Sequence, residues 1–261
     1  MLVVGIDVGS LSAEAVVVRN GELVSFSILP TGADSRRAAE KAFALALARA
    51  GSSETEVSFA VATGYGRVNV PFADLQVTEI TCHARGAFHL YPDTRTVIDI
   101  GGQDSKVIRL DEGGAVIDFA MNDKCAAGTG RFIEVMARVL ETDVERLSAL
   151  AAGAKKTAAI SSLCTVFAES EVVSLIGQGT PRGEIARGLL DSVAERTVGL
   201  VNRVGLEPEV TMTGGVAKNE GVVRALSARL GVPIRVPDEP QIVGALGAAL
   251  IAWSRVLKGS P

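Results

Sequence analysis

Two short segments of the chain place a carboxylate directly before a glycine-containing turn. The first is Asp7–Ser10, with the sequence Asp-Val-Gly-Ser, and the second is Asp99–Gly102, with the sequence Asp-Ile-Gly-Gly. In each, an apolar strand leads into a turn whose backbone N–H groups can receive phosphate oxygens, while the acid can hold Mg²⁺ through water. One such turn alone is equally typical of an ordinary hairpin with a turn-stabilising acid. The pair predicts a site for phosphate and magnesium.

A third glycine turn, Thr213–Ala217, follows an apolar strand and precedes a predicted helix. Its two glycines permit close approach of the backbone to a nucleoside. Taken alone, it would be interpreted as a tight connection between a strand and a helix.

The chain has three cysteines, which in a reducing compartment leaves burial, metal binding or redox chemistry as their uses. Cys125 and Cys164 each stand ahead of a predicted helix, and a helix N-terminus favours the thiolate that ligates iron. Two sulfurs are half of the four that a [4Fe–4S] cluster takes, and a symmetric dimer would supply the others. Their spacing of 39 residues would by itself favour packed structural cysteines.

The elements that must position these residues form two similar hairpins. In the first hairpin, the predicted strand Leu2–Asp7 is followed after a turn by the predicted strand Ala15–Val18. In the second, the strand Thr96–Ile100 is followed after a turn by Lys106–Leu110. Asp7 and Asp99 lie 92 residues apart at matching places in the two copies. This internal similarity predicts a duplicated domain.

In the rest of the chain, segments with the two-residue period of strands alternate with segments that have the 3.6-residue period of helices. This alternation predicts an α/β fold. Helices are predicted at residues 35–50, 79–89, 130–140, 169–176, 183–204, 219–230 and from 243, and strands at 57–62, 210–212 and 233–236. We expect a first lobe at residues 1–93 and a second at 94–261, with the last helix able to pack back on the first lobe.

Composition excludes some partners. The net charge of −4 and the mixed acidic and basic residues provide no basic stripe for nucleic acid. The longest apolar run, Val243–Trp253, is shorter than the ~20 residues that span a bilayer. The first residues have no basic leader, and Asp7 interrupts their apolar stretch, so a cytoplasmic protein without membrane contact is expected.

The three turns together resemble the phosphate-1, phosphate-2 and adenosine motifs of the actin/sugar-kinase/heat-shock ATPase fold, which implies two lobes around a nucleotide cleft. Residues 121–132 and 160–171 around the cysteines resemble the signature of the 2-hydroxyacyl-CoA dehydratase activators and the ATPase subunits of benzoyl-CoA reductase, the BadF/BadG/BcrA/BcrD ATPase family. Residues 62–67, 79–84, 99–106 and 213–219 extend the resemblance over nearly the whole chain.

The resemblance implies a homodimer that binds ATP or ADP with Mg²⁺ and holds one [4Fe–4S] cluster through Cys125 and Cys164 of each chain. ATP hydrolysis would drive a low-potential electron, received from a ferredoxin or flavodoxin, into a 2-hydroxyacyl-CoA dehydratase or a benzoyl-CoA reductase-type partner. The helix after Cys125 is expected to cross between the lobes and to link the two sites.

Roles for single residues follow from the turns and the resemblance. Asp7 and Asp99 would govern Mg²⁺ and phosphate, with Asp7 holding the metal through water, and either Gln103 or Asp104 would position the attacking water. The nucleotide-binding residues are expected to be Gly9, Ser10, Leu11, Ser12, Gly101, Gly102, Gln103, Gly128, Gly130, Gly214, Gly215 and Lys218. Leu11 departs from the family's usual Gly-Ser-Thr, although backbone N–H donation survives that change. We interpret Cys82 and His83 as packed helix residues.

Two other functions fit the same turns. A small-molecule kinase of the same fold would use a carboxylate as general base and would need no cluster, leaving Cys125 and Cys164 inert. A nucleotide-gated binding module would perform no electron transfer.

Overall fold

The computed structural model describes residues 1–122, 125–161 and 164–259. The strands of this part of the chain are β1 Leu2–Val8, β2 Ser12–Arg19, β3 Glu22–Pro30, β4 Val57–Thr63, β5 Leu75–Gln76, β6 Thr96–Ile100, β7 Ser105–Leu110, β8 Val116–Asn122, β9 Val210–Thr213 and β10 Ile234–Arg235. The α-helices are α1 Ser35–Arg49, α2 Glu79–Leu90, α3 Gly130–Val139, α4 Val144–Ala152, α5 Thr165–Gly177, α6 Arg182–Val204, α7 Glu220–Leu230 and α8 Val243–Leu257.

The strands form two five-stranded sheets with the same topology. The first has the order β3-β2-β1-β4-β5 and the second has the order β8-β7-β6-β9-β10. In both, three antiparallel strands are followed by two parallel ones. The repeated order agrees with the duplication predicted from the two hairpins.

The central strand of the first sheet is covered on both faces. All seven residues of β1 are buried, as its near-continuous apolar sequence predicts. Helix α1 packs on one face, and α8 packs on the other. Gly5 allows the close approach of α8, because a Cβ at this position would overlap the carbonyl oxygen of Ala245.

Helices α2 and α8 lie between the two sheets. Ile80 and Ala84 of α2 join a core with Val97 and Ile108 of the second sheet, and Val243 of α8 completes it. Each helix has small residues where it meets the other, so the two backbones pack closely. This arrangement brings the first turn of α2 to the space between the hairpins.

The apolar character of α8 follows from its burial. Within the described residues, Pro240–Leu257 is the one segment whose length and composition would allow it to cross a membrane, and 61% of it is buried inside the protein. A core helix passes the same test of length and composition.

The second sheet carries the larger core. Phe132 and Met136 of α3, Leu189 of α6 and Ile98 of β6 are among its most buried side chains. Helix α3 therefore belongs to this core. The sequence-based expectation that it crosses between the lobes was wrong. Its apolar face is satisfied by the second sheet and by α4 and α5, which leaves no buried face to offer the first sheet.

Candidate functional site

A cavity of about 830 Å³ lies between the two sheets. Its walls come from both hairpins, the first turn of α2, the turn after β9 and the helices α3, α4 and α7. Most of the predicted site residues line it: Asp7, Gly9, Ser10, Leu11, Ser12, Asp99, Gly101, Gly102, Asp104, Gly130, Gly214, Gly215 and Lys218. Gln103 and Gly128 are not among the lining residues.

The first turn is closed by backbone hydrogen bonds. The Gly9 N–H donates to the Ser12 carbonyl oxygen at 2.9 Å, and the Thr31 hydroxyl donates to the Gly9 carbonyl oxygen at 2.8 Å. Asp7 precedes this turn at the end of β1 and pairs in register with Glu14 of β2. Its side chain is buried at the cavity wall.

The second turn repeats this arrangement. The Gly101 N–H donates to the Asp104 carbonyl oxygen at 3.0 Å, and Asp99 pairs in register with Lys106. The two turns meet, because a Cβ at Gly102 would overlap the side chains of Ser10 and Leu11. The predicted pair of facing acid turns is therefore present.

Lys106 places a buried cation among the acids of the second turn. Its Nζ lies 2.5 Å from Asp104 Oδ2, 3.1 Å from Asp99 Oδ2 and 3.4 Å from Glu79 Oε2. The ammonium can donate three hydrogen bonds, and it has three carboxylates around it.

His83 of α2 lies between the two acids that precede the turns. Its Nδ1 is 3.3 Å from Asp99 Oδ1, and its Nε2 is 3.7 Å from Asp7 Oδ2. The Thr213 hydroxyl donates to Asp99 Oδ1 at 2.8 Å and lies 3.2 Å from His83 Nδ1. His83, which the sequence led us to treat as a packed residue, is buried and also lines the cavity.

The pKa values of Asp7 and Asp99 are shifted in opposite directions by their surroundings. Burial raises the pKa of Asp7 well above its ordinary value, and the nearby carboxylates of Glu14 and Glu79 raise it further. Burial alone would also raise the pKa of Asp99, but the His83 ring and the Lys106 ammonium outweigh it and lower that pKa to about 2.

The third turn is joined to the first through Gln241. Gly214 has a φ of 84°, in the left-handed region, and its N–H donates to the Pro240 carbonyl oxygen at 2.9 Å. The neighbouring Gln241 Nε2 donates to Ser12 Oγ at 2.8 Å and to Glu14 Oε1 at 3.1 Å. Burial raises the pKa of Glu14 to about 7, although its hydrogen bonds with Ser12 and Gln241 act in the opposite direction.

Helix α3 begins on the second turn. The Gly130 N–H donates to the Gly101 carbonyl oxygen at 2.9 Å, and the Arg131 N–H donates to the Gly102 carbonyl oxygen at 2.8 Å. The Thr129 hydroxyl also lies 2.9 Å from the Gly102 carbonyl oxygen. The bonds from Gly130 and Arg131 satisfy two of the N–H groups that the first turn of a helix leaves without intrahelical partners.

The two cysteines predicted as ligands are both free thiols. Cys125 is exposed, and Cys164, which is partly exposed, is the N-cap residue of α5. Cys125 stands five residues before α3, because residues 126–129 form a turn closed by the Thr129 N–H and the Ala126 carbonyl oxygen. The helix-terminus argument therefore applies to Cys164 and not to Cys125. Residues 123, 124, 162 and 163 of the two motifs lie outside the described residues.

Cys82 has the opposite environment. It is fully buried in α2, and burial raises the pKa of its thiol to about 12. Its interpretation as a packed residue fits this position.

Sequence reasoning missed several residues that line the cavity. Glu14, Glu79, Lys106 and Gln241 were not singled out, and His83 was set aside. A local signal was present at Lys106, a charged residue that shares one face of β7 with the apolar Ile108 and Leu110 and is buried in the structure. Glu79 and His83 reach the cavity on α2, and Gln241 reaches it just before α8. Glu14 lies on β2, where it pairs in register with Asp7.

Comparisons with known proteins find relatives that match nearly the whole chain. The chain is 52% identical over 262 residues to the activator of lactoyl-CoA dehydratase of Anaerotignum propionicum, covering 99% of this chain and 100% of that protein. It is 48% identical over 256 residues to the (R)-2-hydroxyglutaryl-CoA dehydratase activating ATPase of Acidaminococcus fermentans, covering 97% and 98% of the two chains.

Solved structures agree on the fold. The activator of the 2-hydroxyisocaproyl-CoA dehydratase from Clostridium difficile with bound ADPNP has a TM-score of 0.94 at 43% identity, covering 99% of this chain and 97% of that one. The ROK hexokinase of Thermus thermophilus has a TM-score of 0.52 at 20% identity, covering 99% and 100%, a likeness that shows the fold alone.

The expected actin/sugar-kinase type of α/β fold is thereby confirmed. A family model described as the BadF/BadG/BcrA/BcrD ATPase family matches residues 4–252. The match spans the hairpins, the cavity and both cysteine segments, and the chain belongs to the BadF/BadG/BcrA/BcrD ATPase family.

Proposed function

We propose that this protein is an ATP-hydrolysing activator whose MgATP turnover drives a low-potential electron from a dimer-bridging [4Fe–4S] cluster to a 2-hydroxyacyl-CoA dehydratase or related reductase. The observation that carries the proposal is the start of α3 on the second turn, where Gly130 and Arg131 donate to the carbonyl oxygens of that turn. The segment that begins at Cys125 is thus tied to the turn that would face the γ-phosphate.

The cavity supports the nucleotide half of the proposal. A volume of about 830 Å³ lies within the range usual for ligand sites. The phosphates would lie against the turns Gly9–Ser12 and Gly101–Gly102. The N–H groups of Gly9 and Gly101 close these turns, so those of Ser10, Leu11 and Gly102 would donate to the phosphate oxygens. The adenosine would lie near Gly214, Gly215 and Lys218. Asp7 would hold Mg²⁺ through water, since carboxylate oxygen suits this hard cation. The relative with bound ADPNP supports the same ligand class.

The cysteines support the cluster half. Thiolates are the ligands that iron–sulfur clusters take, and Cys125 and Cys164 are both free and reach the surface. These two thiolates are half of the four ligands that a [4Fe–4S] cluster takes, so a second chain would supply the other two. A cluster bound by two chains would store and release one low-potential electron.

Exposed apolar side chains support a second copy as the source of the other two ligands. Val166 and Phe167 follow Cys164 in α5, and Ile117 and Phe119 of β8 precede Cys125. Phe167 is 68% exposed. A homodimer would remove such side chains from water on the same part of the chain that supplies the thiols.

The partners follow from the relatives' names. Those proteins are described as activators of dehydratases that act on 2-hydroxyacyl-CoA compounds, which supports a dehydratase partner for this chain. A ferredoxin or flavodoxin would supply the electron. Two surface thiols suit the reducing cytoplasm that we propose as its location.

The test begins with protein purified without oxygen. We expect brown protein that absorbs near about 400 nm, contains about four irons per dimer and hydrolyses ATP. A reduced sample should activate a 2-hydroxyacyl-CoA dehydratase only when MgATP is present. Phosphorylation of a small-molecule hydroxyl by iron-free protein would instead identify the kinase. ATP hydrolysis without electron transfer to any tested dehydratase would favour the nucleotide-gated binding module.

A further inference from the structure

Lys106 is the most deeply buried basic side chain among the described residues that line the cavity. Its side chain is 2% exposed, and it stands on β7 directly opposite Asp99 of β6. A lysine is rarely buried unless its charge is paired, because removing an ammonium from water is unfavourable. Its position therefore depends on the acids around it.

Those acids come from three different elements. Asp99 belongs to β6, Asp104 to the turn before β7, and Glu79 to the first turn of α2. All three have an oxygen within 3.4 Å of Lys106 Nζ. Burial would lower the pKa of Lys106, but Asp99 and Asp104 outweigh it and raise that pKa, so the ammonium stays charged.

The contact holds Asp104 in one orientation at the cavity wall. Asp104 Oδ2 binds Lys106, while its Oδ1 lies over Gly101, where a Cβ would overlap it. The Asp104 carbonyl oxygen also accepts the Gly101 N–H at 3.0 Å, which ties the same residue to the turn through its backbone. Gln103, the alternative for positioning water, is exposed and does not line the cavity.

We propose that Lys106 is a positioning residue for ATP hydrolysis, holding Asp104 as the group that orients the attacking water. The proposal rests on the proposed function and decides between the two residues that the sequence left open. During hydrolysis the water oxygen bonds to the γ-phosphorus while the bond to the β–γ bridging oxygen breaks. The products are ADP and phosphate, and the water's proton passes to phosphate or solvent. Asp104 accepts a hydrogen bond from the water and thereby fixes the direction of its attack.

The test compares kcat, KM and ADP affinity in the full-length protein. Lys106→Met keeps an unbranched apolar chain and removes the charge, and Lys155→Met makes the same change at an exposed position outside the cavity. We expect Lys106→Met to lower kcat by about 10²-fold while ADP affinity changes by less than about fivefold. Lys155→Met should match the wild type. A kcat for Lys106→Met within about twofold of the wild type overturns the proposal.

A double-mutant cycle separates positioning from a structural role. Asp104→Asn should lower kcat about as much as Lys106→Met, and the double variant should lose no more than either single one, because the two residues act as a unit. Gln103→Ala should lose less than Asp104→Asn. Losses that multiply in the double variant, or a larger loss in Gln103→Ala, refute the assignment.

Chemical rescue provides a readout that simple destabilisation would not move. In Lys106→Ala, ethylammonium should restore part of kcat, whereas sodium at the same ionic strength should not. If the Lys106 variants do not fold, Asp104→Asn against Gln103→Ala still decides, and equal kcat values for those two overturn the proposal. A wild-type protein that neither binds nor hydrolyses ATP would defeat the proposed function itself.

Discussion

Asp7 and Asp99 occupy equivalent places in the two hairpins, yet they differ in how far protein cations neutralise them. Asp99 has the Lys106 ammonium at 3.1 Å and the Thr213 hydroxyl at 2.8 Å. Asp7 has the His83 ring at 3.7 Å, while Glu14 and Glu79 raise its pKa. Asp7 is therefore the acid that most needs an added cation, which favours it as the carboxylate on which Mg²⁺ depends.

The first prediction contrasts these two acids. Asp7→Ala should weaken the affinity for the magnesium-bound nucleotide and lower ATP turnover, while the thermal midpoint stays within a few degrees of the wild type. Asp99→Ala should lower the thermal midpoint, because it removes an acceptor from the buried Lys106 ammonium. Calorimetric titration and thermal unfolding measure the two effects. Unchanged ATPase activity in Asp7→Ala would contradict its assigned role.

The second prediction concerns Glu14, whose pKa rises from 4.5 to about 7 on folding because the residue is buried. Between those values the native state binds more protons than the unfolded state, so this residue makes stability fall as pH rises through that window. Glu14→Gln removes the effect. The free energy of unfolding of Glu14→Gln relative to the wild type should therefore increase from pH 5 to pH 7 by about 2 kcal/mol. Above pH 7 the difference should level off.

Denaturant unfolding of protein free of magnesium and nucleotide provides that measurement. Parallel stability curves for the two proteins between pH 5 and pH 7 would show that Glu14 is ionised at its ordinary pKa. Glu112→Gln, in the exposed turn before β8, is the matched control and should leave the curve unchanged.

At the scale of elements, the turn between β9 and α7 has two adjacent glycines in different surroundings. Gly214 has a left-handed backbone, and a Cβ there would overlap Asp99 and the Ile100 carbonyl oxygen. A Cβ at Gly215 would meet Gln241 only at an ordinary contact distance of 3.9 Å. The first glycine is thus required by the fold, whereas the second leaves space that faces the cavity.

The third prediction follows from this difference. Gly215→Val should weaken nucleotide binding and leave iron content and thermal stability unchanged, because the added side chain fills the space that adenosine needs. Gly214→Val should destabilise the protein, since a branched residue does not adopt a left-handed backbone without strain. Nucleotide titration, iron analysis and thermal unfolding test the pair. Loss of iron in step with nucleotide affinity in Gly215→Val would indicate general unfolding instead.

At the scale of the whole molecule, the two sheets enclose the proposed nucleotide cavity, but the proposed cluster ligands lie elsewhere. Cys125 is exposed, and neither cysteine lines the cavity. The connection between them runs through α3, which begins on the second turn and packs in the second core. A change of that turn with nucleotide state would therefore move α3 and the adjoining segment that carries Cys125.

The fourth prediction concerns the dimer. Cys125→Ser or Cys164→Ser should each remove two of the four ligands of a shared cluster, so that iron is lost and association weakens. Cys82→Ser is the matched control, and it should retain both iron and dimer because Cys82 is buried. Anaerobic iron and sulfide analysis with sedimentation measures the outcome. About four irons per dimer in either ligand variant would refute the shared cluster.

Strands β3 and β8 were not predicted from the sequence, and each has a physical feature that explains why. In β3 the inward-facing residues include Ser25 and Ser27, which bond to the carbonyl oxygens of Ala46 and Ala42 in α1. Polar residues therefore occupy places where alternation would lead us to expect apolar ones. Strand β8 is mostly exposed at the edge of its sheet, and its pairing with β7 is what makes it a strand.

The sequence by itself determined the features that depend on a few consecutive residues. Both acid turns and the glycines at 214 and 215 could be identified because strand period and turn residues act locally. Cys125 and Cys164 were singled out as ligands because the residues around them resemble a known family. Which charged residues surround those turns was decided only by the tertiary structure. His83 and Glu79 reach the cavity because α2 packs between the sheets, and Lys106 can be buried because acids from three elements surround it. Burial and Coulomb interactions depend on distance in space, which spacing along the chain does not reveal.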